Sequence, residues 1–447
     1  MKNVIIVGGG TAAWICAYRL VQTDSVKQIT VINSGEIPII GTGEGATGAL
    51  SELILKGDDQ EFLRKTNSTK KLGNRFENWL GQGKHFDKPV DAWYYNRNHD
   101  KHIMRKIINA DANLADYSVN AFLMKHGSNN FDSVKRHTYH FDGKQVGQYF
   151  KEKCIASKKV KNVIDTIIEI DDTDGSITKL IGKNGVYAAD FYIDSTGFAK
   201  LFDKKFKHYF EDYSEYLDID SAIPFFLEQR DQSYTVSRAL NNGWMWEIPK
   251  TNNLGCGYNF SSKHCTYEQA LDEVQSYLGF KIKPIKHIKY KSGCFPISAK
   301  NNYAYIGLSA SFIEPLEATS LHTTIYSADS LADYFDNKIS LQQHNELYYE
   351  MISDFRDYVI LHYRKCPRKD TQFWIDQHDK PIPKKLQKQI EIFENGSLEC
   401  LYKHTHIYFM FTLGLPYKLF GKAEDFKNWD IHIPTSKTIE RLKLEYS

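Results

Sequence analysis

The run Val4-Ile5-Ile6-Val7-Gly8-Gly9-Gly10-Thr11-Ala12-Ala13-Trp14-Ile15-Cys16-Ala17 decides the fold. Val4 to Val7 are all apolar and β-branched, which reads as a strand buried inside a parallel sheet. Three glycines follow at once, and Trp14 to Leu20 reads as a helix. In such a strand–turn–helix unit Gly8 permits the tight turn, Gly10 lets the backbone approach a pyrophosphate, and Ala13 keeps helix and strand close. The start of the helix, at Thr11, Ala12 and Ala13, offers free N–H groups to phosphate oxygens.

The second strand, Gln28–Ile32, should end in an acid that holds an adenosine ribose. Asn33 stands there instead, followed by Ser34, with Glu36 the nearest carboxylate. An amide can still hydrogen-bond a ribose hydroxyl. A second glycine fingerprint, which a flavoprotein reducing its own flavin with NAD(P)H would need, does not occur downstream. The expectation is one dinucleotide, FAD, with reducing equivalents supplied from elsewhere.

At 447 residues the chain suggests two or three domains. A net charge of +2 gives no polyelectrolyte signature, which disfavours a nucleic-acid partner. No stretch approaches the roughly 20 apolar residues of a membrane span, and the apolar run before Gly8 is too short for a signal peptide. The seven cysteines are scattered with no C-x-x-C pair, which suggests free thiols in a reducing cytosol and argues against a structural zinc. The composition therefore leads us to expect a soluble, cytoplasmic protein without metal, nucleic-acid or membrane partners.

Further blocks follow in a definite order. Ile40-Gly41-Thr42-Gly43-Glu44-Gly45 comes after the second strand. Tyr139-His140-Phe141-Asp142 and Asp190-Phe191-Tyr192-Ile193-Asp194-Ser195-Thr196-Gly197-Phe198 lie mid-chain. Gly243-Trp244-Met245-Trp246-Glu247-Ile248-Pro249 carries W-x-W-x-I-P, and Pro315-Leu316-Glu317-Ala318-Thr319 closes a glycine-containing loop from Ile306. Asp354-Phe355, Leu361-His362-Tyr363, Phe373-Trp374 and Pro381-Ile382-Pro383 continue the series. Over roughly residues 1–395 this set resembles the flavin-dependent tryptophan halogenases, with W-x-W-x-I-P the most diagnostic block.

The resemblance implies an α/β fold: a three-layer FAD-binding lobe of the glutathione-reductase type, an inserted mixed-sheet substrate lobe and C-terminal helices. The FAD lobe would take residues 1–80 and 186–204 with a flavin-and-halide loop at 301–330. The substrate sheet would take 81–185 and 205–300, and the helices 331–447. Such enzymes use reduced FAD and O2 to oxidise chloride, bromide or iodide to hypohalous acid, which passes through an internal channel to a separate aromatic pocket. The resemblance adds Gly43, Glu44, Gly45, Val163, Leu308 and Leu321 to the cofactor residues Gly8, Gly10, Thr11, Ala12, Ala13 and Asn33.

It also assigns the chemistry. The backbone N–H groups of Thr319 and Ser320 would form the halide nest; the plainer reading is a helix start capped by one of those side chains, and the two are compatible. Lys71-Leu72-Gly73-Asn74-Arg75-Phe76-Glu77-Asn78-Trp79 matches the family's catalytic-lysine segment, read here as helical. Lys71 would hold the hypohalous acid or form a haloamine, with Lys70 taking its place if the register slips by one. A lysine pair on a helix is otherwise a solvated face, and burial would weaken the hold of Lys71 on its proton. Glu317 would accept the ring proton and stabilise the cationic arenium species; alone, it reads as a first-turn acid favoured by the helix dipole. Trp244 and Trp246, with Pro249, would separate substrate from flavin, against the simpler reading of strand aromatics sharing one core.

Beyond about residue 395 the match fails. The apolar Tyr408–Gly414 is either pocket wall or ordinary core, and a reduced lid would open the pocket to indoles and other electron-rich aromatics. The implied partners are a small aromatic substrate and a separate flavin reductase. Two rivals stay open: an FAD-dependent aromatic monooxygenase, whose oxygen incorporation ignores halide, and a flavin-binding sensor without turnover.

Overall fold

The computed structural model describes residues 1–35, 44–54, 59–90, 118–126, 137–394 and 399–404. The chain divides into two units, each assembled from three stretches: Met1–Ser68, Phe141–Ser214 and Tyr290–Ser353 in the first, Thr69–His140, Glu215–Lys289 and Asp354–Ser447 in the second.

In the first unit β1 (Lys2–Val7), α1 (Thr11–Leu20), β2 (Val26–Asn33), α2 (Gly143–Ala156), β3 (Val160–Ile164), β4 (Phe191–Asp194), β5 (Tyr303–Tyr305) and α3 (Thr319–Phe335) build the nucleotide-binding architecture. The strands lie in the order β5-β4-β1-β2-β3, all parallel, with Ala299–Lys300 antiparallel on the outer edge. Val4 to Val7 sit at the centre, each at most 5% exposed, which is why they read as one continuous apolar run. Asp142 caps α2 by accepting from the amides of Lys144 and Gln145, an N-cap worth about 1 kcal/mol. From the range 81–185, Val160–Ile164 pairs in parallel with β2 and the hairpin Ile167–Gly182 follows it, so these residues complete the first unit.

The second unit holds a seven-stranded mixed sheet in the order Ile288–Lys289, Ser221–Leu227, Leu254–Phe260, Gly243–Pro249, Tyr234–Ala239, Gly73–Glu77, His85–Pro89. Only the pairing of Tyr234–Ala239 with Gly73–Glu77 is parallel. The helix Tyr267–Leu278, opened by a Thr266/Gln269 capping box, covers one face. Ala270 and Val274 pack there with Ile223, Phe225, Met245 and Tyr258, all fully buried. Helices Gln372–Asp379 and Lys384–Glu394 follow Leu341–Lys365.

The lysine segment is a correction to the sequence reading. It is two short strands, Thr69–Lys71 and Gly73–Glu77, not a helix. Non-local hydrogen bonds decide this: the Leu72 amide donates to Ser233 O at 2.7 Å, and Leu72 O accepts from the Val90 amide at 2.7 Å. Those partners lie on two other segments, so tertiary pairing overrides the helical preference of Lys, Leu, Arg and Glu.

Candidate active site

In the first unit the glycine turn is laid out as a phosphate cradle. Gly8 has φ +119°, and a Cβ there would approach the Ser195 carbonyl carbon to 2.6 Å, so only glycine fits between β1 and the turn after β4. Gly10 is the N-cap of α1, has no side-chain cap, and an added Cβ would meet nothing within 4 Å. Gly10 therefore opens onto free space at the positive end of the helix dipole. Beside this turn Ser195 Oγ is buried without a hydrogen-bond partner among the described residues. An open, dipole-lined cradle with an orphaned hydroxyl fits a dinucleotide pyrophosphate.

Asp194 ends β4 fully buried. Its carboxylate accepts from the Thr196 amide at 2.8 Å, Thr196 Oγ1 at 2.7 Å, the Phe202 amide at 2.8 Å and Ser309 Oγ at 3.1 Å. Burial raises its pKa while these donors oppose the rise. Asp194 thus fastens the turn after β4 to the turn Gly307–Ser309, a role that no sequence motif signals.

The other cofactor candidates are distributed around this turn. Thr11 Oγ1 donates to Gly143 O at 2.6 Å, joining the starts of α1 and α2. Glu44, beside Gly45 in a two-residue strand, lays its carboxylate against Gly143, with Cδ 3.5 Å from where a Cβ would stand. That is the N-terminus of α2, where an anion is stabilised. Ala13 is fully buried against the sheet, while Val163 on β3 and Leu308 are half-buried and Leu321 is buried. Gly43 lies outside the described residues.

The halide candidates sit at the start of α3. Pro315–Glu317 forms a 3-10 turn, Ala318 is left-handed at φ 54°, ψ 39°, and α3 begins at Thr319 without a side-chain cap. The capping alternative for Thr319 or Ser320 is therefore corrected: the N-cap is Ala318, which has no polar atom to offer. The Ala318 amide donates to Pro315 O at 3.3 Å, and the left-handed residue turns the chain into α3, whose start carries no side-chain cap. Thr323 and Thr324 turn their hydroxyls back to Ser320 O at 2.9 and 2.8 Å, bracing that first turn. Thr47 Oγ1 and His322 Nδ1, 2.9 Å apart, tie the segment after Glu44 to α3. Glu317, 3% exposed, belongs to this unit.

Lys71 belongs to the second unit, where it is 4% exposed. Its strand pairs antiparallel with Thr138–His140, placing Lys71 opposite Thr138. Lys70, one residue back, is half-buried and alternates to the other side. His140 is pushed well below the usual imidazole range, first by burial and then by the nearby Lys71 charge. It stays neutral and hydrogen-bonds Thr235 Oγ1 at 2.9 Å.

The same strand is tied to the W-x-W-x-I-P segment, because Thr69 Oγ1 donates to Pro249 O at 2.9 Å. Trp244 and Trp246 project from one face of a strand whose every residue is buried, their rings 6.3 Å apart and inclined at 60°. Gly257 stands opposite Trp246 and leaves room for its indole. The alternate residues Met245 and Glu247 face the other way. Glu247 receives Arg238 Nη1 at 2.6 Å, and Arg238 also bonds Glu77 at 2.7 Å.

Comparison with known proteins bears on what these two constellations belong to. KtzR of Kutzneria, a 7-chloro-L-tryptophan 6-halogenase, is 27% identical over 455 residues, covering 90% of this chain and 87% of its own. The tryptophan 6-halogenase SttH of Streptomyces toxytricini is 28% identical over 438 residues, covering 87% and 83%. The SttH structure superposes with a TM-score of 0.85 at 25% identity, covering 100% of this chain and 96% of that one. A tryptophan halogenase from Shewanella frigidimarina, 24% identical, shares the fold with a TM-score of 0.84 over 100% of this chain and 93% of its own. The family model described as tryptophan halogenase matches residues 3–416, nearly the whole chain, and by that match this enzyme belongs to the tryptophan halogenase family.

Proposed function

We propose that this enzyme halogenates an electron-rich, indole-like aromatic, using FADH2, O2 and a halide through hypohalous acid delivered to Lys71. The observation that carries the reading is the burial of Lys71 on a strand bonded directly to the end of the W-x-W-x-I-P segment.

The α1 cradle, Asn33, Ser195 and the Asp194-fastened turns would hold FAD. When bound and reduced, it supplies the two electrons that, with the halide, reduce O2 to water and hypohalous acid. The amides of Thr319 and Ser320 hold the halide without adding a positive charge that would compete for it. Lys71 holds the hypohalous acid by its oxygen or as an N–halogen adduct. The electrophilic halogen bonds to a ring carbon as its bond to oxygen breaks, Glu317 takes the ring proton, and the departing hydroxide gains one proton to leave as water, so that the proton lost by the ring balances the one gained. Trp244 and Trp246 keep the ring away from the cofactor, so that it receives halogen rather than oxygen. The enzyme works in the cytoplasm, where a separate flavin reductase supplies FADH2 and diffusion of the reduced cofactor is sufficient. The substrate pocket accepts simple indoles as well as tryptophan.

The test is mass spectrometry of products from purified enzyme, FAD, a generic flavin reductase, NADH and a panel of aromatics, with chloride, bromide and iodide in separate runs. Halogenated product that survives catalase and a hypohalite scavenger, and is lost in Lys71→Ala and Glu317→Gln, is the expected result. Hydroxylated product independent of halide would replace this reading with a monooxygenase. A tryptophan KM far below that of simple indoles would remove the open-pocket element.

A further inference from the structure

We infer that Asn33 and Asn162 together read the adenosine ribose of the dinucleotide, one amide accepting from and the other donating to its vicinal diol; this rests on the dinucleotide reading of the glycine turn.

Asn33 is the last residue of β2, and Asn162 lies on the neighbouring parallel strand β3, in register with Val31. Ligands of this architecture bind beyond the carboxyl ends of the strands; Asn33 stands at such an end, and Asn162, two residues before the end of β3, reaches it through its amide. Asn33 also packs against the turn itself: a Cβ on Gly9 would come within 2.7 Å of Asn33 Cβ and 2.9 Å of its Cγ. The amide therefore sits one residue-width from the proposed pyrophosphate cradle, the reach of a ribose.

Asn33 Nδ2 donates to Asn162 Oδ1 at 2.8 Å. Both residues are half-buried, and neither Asn33 Oδ1 nor Asn162 Nδ2 makes a further hydrogen bond among the described residues. One acceptor and one donor are thus displayed side by side. Turning both amides over exchanges the two atoms but leaves the same complement of one donor and one acceptor. A vicinal diol matches it, because one hydroxyl can donate while the other accepts. A terminal carboxylate at β2 would instead accept from both hydroxyls.

The carboxylate nearest in sequence after β3 cannot take over this role. Asp165 is 4% exposed and accepts from the Thr166 amide at 2.8 Å, the Asn184 amide at 3.2 Å and Tyr187 OH at 2.7 Å. Its lone pairs are committed to the turn at 183–187.

The experiment is equilibrium titration of FAD, followed by flavin fluorescence, into wild type, Asn33→Ala, Asn162→Ala, Asn162→Leu and the Asn33→Ala/Asn162→Ala double variant. Asn162→Leu keeps side-chain volume and guards against loss of packing, and melting of the cofactor-free proteins reports on folding. Each single variant is expected to weaken FAD about fivefold, the worth of one neutral hydrogen bond. The double variant should fall well short of the product of the two single effects, because each amide orients the other. Either Asn162 variant binding FAD within twofold of wild type overturns the inference, as does a double variant equal to that product. A wild type that does not bind FAD would overturn the dinucleotide reading itself, a distinct outcome.

Discussion

Gly257→Ala probes the packing of the Trp246 indole directly. A Cβ at this position would stand 2.6 Å from Trp246 Cζ3 and closer still to Cη2 and Cζ2. Ordinary carbon contact begins near 3.5 Å, so the indole must move by roughly an ångström. It is 8% exposed and has Trp244 at 6.3 Å, leaving little free volume to move into. Overpacking of this kind costs about 1–3 kcal/mol. For a unit of this size each kcal/mol lowers Tm by about 2–4 °C, so a fall of about 3–10 °C is expected in differential scanning fluorimetry of the cofactor-free protein. The shifted indole should also change tryptophan emission. In a Trp246→Leu background, which removes the ring, Gly257→Ala should cost less than about 0.5 kcal/mol. A variant melting within a degree of wild type, or a penalty undiminished by Trp246→Leu, would refute the steric reasoning.

Three other predictions are independent of it. Arg238→Met leaves Glu247, 1% exposed, without its strongest partner and should destabilise the protein by about 3 kcal/mol in urea unfolding; a loss under 1 kcal/mol would show the ion pair contributes little. His344 is lowered to about 4 by burial, between Ser298 Oγ at 3.2 Å and Ser330 Oγ at 2.7 Å. As pH falls below about 6.5 the unfolded chain takes up a proton there that the folded chain refuses, so stability should drop by roughly 3 kcal/mol between pH 6.5 and 4 and level off below. His344→Gln should remove that part of the slope, and a variant with an unchanged pH profile would discount the assignment. Burial pushes the Cys154, Cys265 and Cys366 thiols up to about 12, and of all seven thiols Cys400 alone is not buried. Iodoacetamide at pH 8 should therefore label no more than one equivalent quickly in native protein, and peptide mapping should find it at Cys400.

How much of this was legible depended on whether the deciding interaction was local. Val4 to Val7 followed by three glycines declares its own strand and turn, because burial on both faces and a positive-φ turn each leave a compositional mark. Trp244 and Trp246 likewise read as a period-two strand. The lysine segment reads as helical from its resemblance to the family's segment, and several of its residues are good helix formers. Only the backbone bonds of Leu72 to Ser233 and Val90 make it extended, and nothing within the segment announces them. The capping alternative at Thr319 failed through one left-handed alanine, a conformation composition cannot reveal. Asp194 as a fastener and Asn162 as a partner for Asn33 were missed for the same reason: each acts across strands joined by long connections.

Those long connections have a cost on the ribosome. β1 finds one neighbour soon, since Val4 pairs with Ile29, but its other neighbour is Phe191. At about 5–20 residues per second, some ten to forty seconds separate synthesis of the two strands. The last strand of that order, Tyr303–Tyr305, arrives later still. Throughout that interval a β-branched edge is exposed on the nascent chain, a template for pairing with other chains. Slower growth, lower temperature or a holding chaperone should therefore raise soluble yield more than any change of buffer after lysis, and a fragment ending before residue 191 should precipitate rather than fold.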